Sequence, residues 1–289
     1  MTTRWDLEFF DFMTYPTGEP HVNISEAAYC NKDFGNYLGT TSAIIWKARD
    51  YNDLASMVTA WRALKRRGGV YKKFVVPYFP FGRHDRRRDE WDTDPLQMAL
   101  DIVRPMMDEG CLITIDPHSD VSGVIPHITQ TQVVERFLLE HEGLFGETFH
   151  TIVIPDAGAT KKAYDWTFRF PHAEVIQGFK KRNMQTGELT GFGIENADKP
   201  RAHGLGRVLV VDDICDGGGT FLGLAGVLPP NDGITLLTSH GLFPKGTEHL
   251  VGTFDLWTLD AHFNGGNLGV EYLDTKELVN TALRTSSIR

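Results

Sequence analysis

The sequence predicts an α/β protein built as two similar doubly wound domains with mainly parallel sheets, and two observations carry that expectation. Short apolar runs recur along the 289 residues and end in Asp, Pro or Gly-rich turns, and amphipathic segments lie between them. The runs cover residues 74–77, 112–116, 152–156, 208–212 and 234–237. They are apolar on both faces, as a strand must be in a parallel sheet covered by helices on each side. Ahead of the first run, Leu54, Met57, Val58, Trp61 and Leu64 recur at helical spacing, with Arg62, Lys65 and Arg66 on other faces. Residues 132–142 read as a second helix and residues 277–284 as a C-terminal one. Alternation of the two element types gives the doubly wound class.

The turn-rich stretch 121–128 is the candidate boundary. It divides the chain into an N-terminal domain, residues 1–126, which a C-terminal helix at 275–289 can rejoin, and a C-terminal domain, residues 127–274. Residues 183–206 lack periodicity and carry Gly187, Gly191, Gly193 and Pro200. They read as a mobile loop followed by an irregular connection.

Composition narrows the function classes. A formal charge of −9 argues against a dedicated nucleic-acid binder, whose phosphate contacts need a basic field. A local basic pocket for a small anion remains compatible with it. Cys30, Cys111 and Cys215 are widely spaced and odd in number, which suits a reduced compartment rather than a disulfide scaffold or a zinc site. Residues 1–12 mix charged and aromatic side chains without an apolar signal core, and no apolar stretch reaches membrane-spanning length. A soluble cytoplasmic protein without membrane or nucleic-acid partners is expected.

The strongest chemical signal runs from Val208 to Thr220. A buried strand feeds two adjacent carboxylates, Asp212 and Asp213; then come Asp216, Gly217, Gly218, Gly219 and Thr220, and a helix start at Phe221. Glycines let backbone N–H groups converge on an anion, and a helix N-terminus adds partial positive charge. The paired acids suit the 2- and 3-hydroxyls of a ribose. The spacing is neither a Walker A loop nor a dinucleotide fingerprint.

This segment resembles the phosphoribosyl-pyrophosphate loop of type I phosphoribosyltransferases and of ribose-phosphate diphosphokinases (PRPP synthetases). Other segments favour the second family, in its own order. Residues 52–54 through 82–87, including Val76, Pro77, Tyr78 and Phe79, resemble its helix, strand and ATP-binding loop. Asp116-Pro117-His118 resembles its metal segment, and Pro155-Asp156-Ala157-Gly158 its second metal and sugar segment. Lys180-Lys181-Arg182 stands where the family has a Lys-x-Arg catalytic loop, and Tyr15-Pro16-Thr17-Gly18-Glu19 resembles its nucleotide corner. Ser239-His240-Gly241 continues the likeness.

The resemblance implies an ATP-dependent transfer of pyrophosphate to the 1-hydroxyl of ribose 5-phosphate, giving PRPP and AMP. The N-terminal domain would bind ATP through Arg83, His84, Arg86, Tyr15 and Glu19, and the C-terminal domain would bind the sugar phosphate through residues 212–220. Lys180 and Arg182 become the catalytic cations. His118, Asp156 and Asp116 become the Mg²⁺ ligands beside ATP oxygens, since Mg²⁺ prefers oxygen and keeps several waters. A homo-oligomer follows from the family's shared ATP site. Taken alone, the basic run at 83–88 would be a solvated face and His118 an ordinary polar residue.

The sequence departs from the family's pattern at Gly217, where a Thr is usual, at His84, where Gln is common, and at Thr17, where an acid usually contacts adenine; it is also shorter than typical members. The missing side chain at Gly217 leaves room for a substituent on the 5-phosphate, so ADP-ribose is an alternative acceptor, whose pyrophosphate product could serve NAD resynthesis. A phosphoribosyltransferase and an inactive regulatory subunit are further alternatives.

Overall fold

A computed structural model describes residues 10–17, 19–24, 43–66, 73–87, 89–119, 122–145, 149–155, 166, 172–182, 189–196, 198–199, 204–260, 268–285 and 288. Cys30, Arg88, Asp156, Ala157 and Gly158 lie outside them. The chain forms two compact units, one of residues 1–129 with 275–289, the other of residues 130–274.

The first unit holds a four-stranded parallel sheet in the order β3 (Ala43–Ile45), β4 (Lys73–Val76), β5 (Leu112–Ile115), β6 (His127–Ile128). Helix α1 (Tyr51–Arg66) connects β3 to β4, and α2 (Pro95–Asp108) connects β4 to β5. Phe74, Val75 and Val76, and likewise Leu112, Ile113 and Ile115, are buried, as strands covered on both faces require. Each such side chain contributes on the order of 1.5–3 kcal/mol by leaving water. Leu54, Met57, Trp61 and Leu64 turn the buried face of α1 inward.

α2 lay outside the sequence reading, although Leu96, Ala99, Leu100, Val103 and Met106 line its buried face at helical spacing. Its start is sharply fixed. Asp94 caps it by accepting from the Gln97 N–H at 3.2 Å, and Pro95 occupies the first helical turn, where a missing N–H costs nothing. A separate antiparallel hairpin, β1 (Phe10–Thr14) with β2 (Pro20–Ile24), belongs to this unit, and β2 touches α1.

The second unit is a seven-stranded sheet. Its order is β13 (Val270–Leu273), β12 (Asp255–Leu259), β11 (Ile234–Gly241), β10 (Val208–Cys215), β7 (Thr151–Ile154), β8 (Glu174–Arg182), β9 (Leu189–Ile194). All pairs are parallel except β8 with β9. Helices α3 (Gln130–Phe145), α4 (Gly219–Ala225) and α5 (Glu248–Val251) belong here, and α6 (Thr275–Thr285) to the first unit. The chain winds from β7 outward to β8 and β9, then returns to place β10 on β7's other side and winds the opposite way. The sheet reverses between β7 and β10, where doubly wound proteins form a ligand crevice beyond the strands' carboxyl ends.

The expectation of a mobile loop over residues 183–206 is corrected by this sheet. Residues 189–194 form β9, paired antiparallel with β8 from Gly178↔Ile194 to Arg182↔Leu189. The strand escaped notice because two glycines break its apolar pattern; its partner is also a long, polar strand, Glu174–Arg182.

Candidate active site

In the first unit two neighbouring parallel strands deliver the candidate nucleotide residues to one sheet edge. β4 ends at Val76 and runs through Pro77 and Phe79 into two successive turns, with Gly82 N–H donating to Phe79 O at 3.3 Å and His84 N–H to Phe81 O at 2.8 Å. Phe81 sits at φ 64°, unusual for a bulky residue, and its ring stacks on Tyr51 with centroids 4.3 Å apart. That stack pins the loop's base to the start of α1, while Arg83, His84 and Arg86 are exposed. Arg86 has Asp85 3.8 Å away across an open surface, a contact worth little. Arg87 instead holds Asp94, the α2 cap, at 2.9 Å, so it fastens the loop's far end.

β5 ends alongside. The Thr114 hydroxyl donates to Val76 O at 2.8 Å and the Ile115 N–H to Pro77 O at 3.2 Å, tying the two strand ends together. Asp116 follows at φ 40°, buried, with its N–H donating to Ile128 O at 2.7 Å. A left-handed non-glycine residue stores strain that functional sites commonly tolerate, and Asp bears it better than most. His118 lies exposed two residues on. Among the described residues no group of three His, Cys, Asp or Glu side chains is placed to hold a metal. The donors present, an exposed imidazole two residues along from a buried carboxylate, fit Mg²⁺ only where nucleotide oxygens and water fill most of the shell.

The tip of the β1–β2 hairpin carries Tyr15 and Glu19, both exposed. Tyr15 N–H donates to Glu19 O at 2.9 Å, and the Thr17 hydroxyl donates to the Glu19 carboxylate at 2.7 Å. A carboxylate therefore stands directly against Thr17.

In the second unit the switch point is a notch. β7 pairs with β8 as far as Ile154↔Gln177 and with β10 as far as Val153↔Val210. Residues 178–182 of β8 and 211–215 of β10 run on past it. One wall carries Lys180 and Arg182, the other Asp212 and Asp213. Lys180 is half-buried, and the β8–β9 register shifts between Lys181 and Arg182. Asp212 is half-buried and accepts from the Asp213 N–H at 2.9 Å, while Asp213 is buried.

Beyond β10, Gly218 takes φ 73°, and a Cβ there would lie 2.5 Å from the Leu250 side chain, so only glycine fits. Gly217 and Gly219 differ, since a Cβ at either meets nothing within 4 Å. The helix opened by this loop, α4, spans only Gly219–Ala225. Its dipole is correspondingly small. Cys215 is buried beneath the loop, and burial, followed by the charges of Asp212 and Asp216, pushes its thiol up to about 12. That thiol is no nucleophile at neutral pH.

Sequence reasoning missed the residues that seat the Lys180 strand. A Cβ at Gly178 would lie 2.9 Å from Pro155 O and 3.0 Å from Leu224 of α4, and a Cβ at Gly223 of α4 would lie 1.9 Å from Phe192 of β9. Two glycines thus let the hairpin lie directly on the helix that follows the candidate sugar-phosphate loop. Gly223, a glycine within an apolar segment, was the available signal, since such glycines mark close approach.

No family model matches the chain. In sequence it is 24% identical to the ribose-phosphate pyrophosphokinase of Mycoplasmopsis pulmonis over 68% of this chain and 60% of that protein. It is 24% identical to the enzyme of the same name from Mycoplasma genitalium over 86% of this chain and 72% of that one. The fold matches a crystal structure of phosphoribosylpyrophosphate synthetase from Mycobacterium smegmatis with a TM-score of 0.68 and 16% identity, over 96% of this chain and 90% of that one. In sequence and in fold the chain is similar to the PRPP synthetases. Matches to several of these PRPP synthetases span less than two thirds of their length, 55% for that of Corynebacterium glutamicum. Among the described residues no helix is long and apolar enough to cross a membrane.

Proposed function

We propose that this chain is an ATP-dependent ribose-phosphate diphosphokinase, and the observation that carries the reading is the notch at the end of β7. Lys180 on one side and the Asp212–Thr220 loop on the other bring a cation and a ribose-phosphate cradle to one sheet edge of the second unit. The 1-hydroxyl of ribose 5-phosphate attacks the β-phosphorus of ATP in line. An O1–Pβ bond forms, the bond from Pβ to the oxygen shared with the α-phosphate breaks, and that electron pair leaves with AMP. The hydroxyl proton passes to solvent. Such chemistry rests on positioning and charge neutralisation. Asp212 and Asp213 accept from the ribose 2- and 3-hydroxyls, and the N–H groups of residues 216–220 hold the 5-phosphate. Lys180 and Arg182 offset charge on the transferring group. Arg83, His84 and Arg86 clamp the nucleotide phosphates, guanidinium groups being suited to paired oxygens. Tyr15 and Glu19 meet the nucleotide at the hairpin tip. The ligands that the resemblance implies for Mg²⁺ are His118, Asp156 and Asp116, and the ion would supply charge neutralisation on the polyphosphate. The reading also takes the protein as a cytoplasmic homo-oligomer.

A second reading keeps the chemistry and changes the acceptor to ADP-ribose. It is favoured by the open space at Gly217, where no neighbour stands within 4 Å of a Cβ. A phosphoribosyltransferase would have no use for the arginine loop at 83–87, and an inactive regulatory subunit no use for Lys180, Arg182 and His118.

The deciding experiment measures AMP release from ATP and Mg²⁺ with ribose 5-phosphate or ADP-ribose, beside a Lys180→Ala control. AMP formed with ribose 5-phosphate and lost in the control supports the main reading. AMP with ADP-ribose alone moves the weight to the second, and silence with both overturns the diphosphokinase reading.

A further inference from the structure

A polar side chain outside the candidate loop touches its backbone. His249, exposed on α5, places Nε2 3.0 Å from the carbonyl oxygen of Gly217. A carbonyl only accepts, so Nε2 carries the proton in this contact, whether the ring is neutral or charged. The Gly217–Gly218 peptide is trans, so the Gly217 carbonyl and the Gly218 N–H point to opposite sides of it. Holding the carbonyl toward α5 therefore turns the Gly218 N–H away from α5.

The next residue of α5 acts on the next residue of the loop. Leu250 is fully buried and packs where a Gly218 side chain would stand, holding the backbone at φ 73°. Adjacent residues of one short helix thus fix adjacent loop glycines, one by a hydrogen bond and one by packing. α5 is itself anchored, since the buried Thr247 hydroxyl donates to Leu268 O at 2.7 Å and the helix touches β12. Consecutive glycines have the widest backbone freedom of any residues, so a loop built from them loses most from an unfixed peptide.

We propose that His249 is a positioning residue for the acceptor: by donating to Gly217 O it orients the Gly217–Gly218 peptide so that the Gly218 N–H faces the sugar phosphate. The proposal rests on the reading of residues 212–220 as the sugar-phosphate cradle. With the bond in place the loop is ordered before the acceptor arrives; without it, ordering is charged against binding.

The test compares wild type, H249A, H249Q and H249M by acceptor titration, with calorimetric binding of ribose 5-phosphate as a readout that needs no turnover. H249A is expected to raise KM and Kd for ribose 5-phosphate about three- to tenfold, the range one neutral hydrogen bond commands. KM for ATP, kcat at saturation and the melting temperature stay at wild-type values. H249Q keeps a donor and recovers most of the lost affinity, whereas H249M, of similar size without a donor, behaves as H249A. Equal acceptor affinity in wild type and H249A overturns the proposal, as does H249Q matching H249A. Wild type that binds ribose 5-phosphate without turning it over sinks ribose 5-phosphate as the acceptor while leaving the Kd comparison decisive. Wild type that neither binds nor turns over ribose 5-phosphate overturns the proposal and that acceptor together.

Discussion

Lys180 and Phe192 are cross-strand partners in the β8–β9 hairpin, and Phe192 lies against Gly223 in the helix that follows the Asp212–Thr220 loop. Directly opposed residues of an antiparallel pair project from the same face. Gly178, two residues before Lys180 and so on the same face of β8, meets Leu224 of the same helix. The strand bearing the candidate cation is therefore set by contacts with α4, so the candidate cation and the candidate loop share one support.

That shared support gives the first prediction. In Gly223→Ala the new Cβ would fall 1.9 Å from the Phe192 ring, which must move and take the Lys180 register with it. Overpacking of this kind costs about 1–3 kcal/mol. The variant is expected to melt lower and to lose kcat more than ATP affinity, both read from thermal unfolding and AMP release. Wild-type values for both would mean that the hairpin is held by something else.

Removing the cation itself should separate chemistry from folding. Lys180→Ala deletes a half-buried side chain at a strand position that tolerates alanine, so its melting temperature should stay near wild type. Loss of one group that stabilises transition-state charge typically lowers kcat about 10²–10³-fold. Stopped or quenched AMP release at saturating substrates reads this, and a fall of less than about tenfold would remove Lys180 from the reacting phosphates.

How much of this was legible in the sequence depended on the kind of signal. The runs at 74–77, 112–116, 208–212 and 234–237 were readable because strands buried on both faces leave uninterrupted apolar runs, and β4, β5, β10 and β11 occupy them. α1 was readable from its spacing. β9 was not, because Gly191 and Gly193 interrupt it, and its reason for being a strand lies in tertiary contact with α4 rather than in local propensity. The loop at 212–220 announced itself through paired carboxylates and glycines. Its brace at His249 and Leu250 did not, because no spacing rule connects residue 217 to residue 249.

The glycine that departs from the usual loop pattern gives a third prediction. A Cβ at Gly217 meets no neighbour within 4 Å, so the stability of Gly217→Thr should lie within about 0.5 kcal/mol of wild type. The added hydroxyl is a donor for the 5-phosphate and fills the space a substituent would need. Ribose 5-phosphate turnover should persist with equal or lower KM, and any turnover of ADP-ribose should vanish. Parallel KM measurements with the two acceptors read both effects, and undiminished ADP-ribose turnover would show that residue 217 does not select the acceptor.

Asp94 joins two structures in the first unit, capping α2 at the Gln97 N–H and holding Arg87 at 2.9 Å. Asp94→Ala should cost about 1 kcal/mol through the lost cap. It also frees the far end of the arginine loop, so KM for ATP should rise while KM for the acceptor stays put. A variant that melts lower but keeps its ATP affinity would show that the loop is fixed by the Phe81–Tyr51 stack alone.

The thiol of Cys215 supplies a pH-dependent prediction whose sign follows from burial. Burial, then the carboxylates of Asp212 and Asp216, raises it from an ordinary value of 9.0 to about 12, so the native state keeps the proton where the unfolded chain would lose it. Its contribution to stability is whole below pH 9 and falls as pH rises from 9 toward 12, because over that window the unfolded state binds fewer protons than the native one. Urea midpoints at pH 8 and pH 10 should therefore diverge less in Cys215→Ala than in wild type, whatever the variant loses at both pH values through its cavity. The same protection makes Cys215 inert to iodoacetamide at pH 8 until the fold is opened by denaturant. Peptide mapping of labelled protein reads that directly, and prompt native-state labelling at Cys215 would mean that the base of the candidate sugar-phosphate loop opens far more readily than its packing allows.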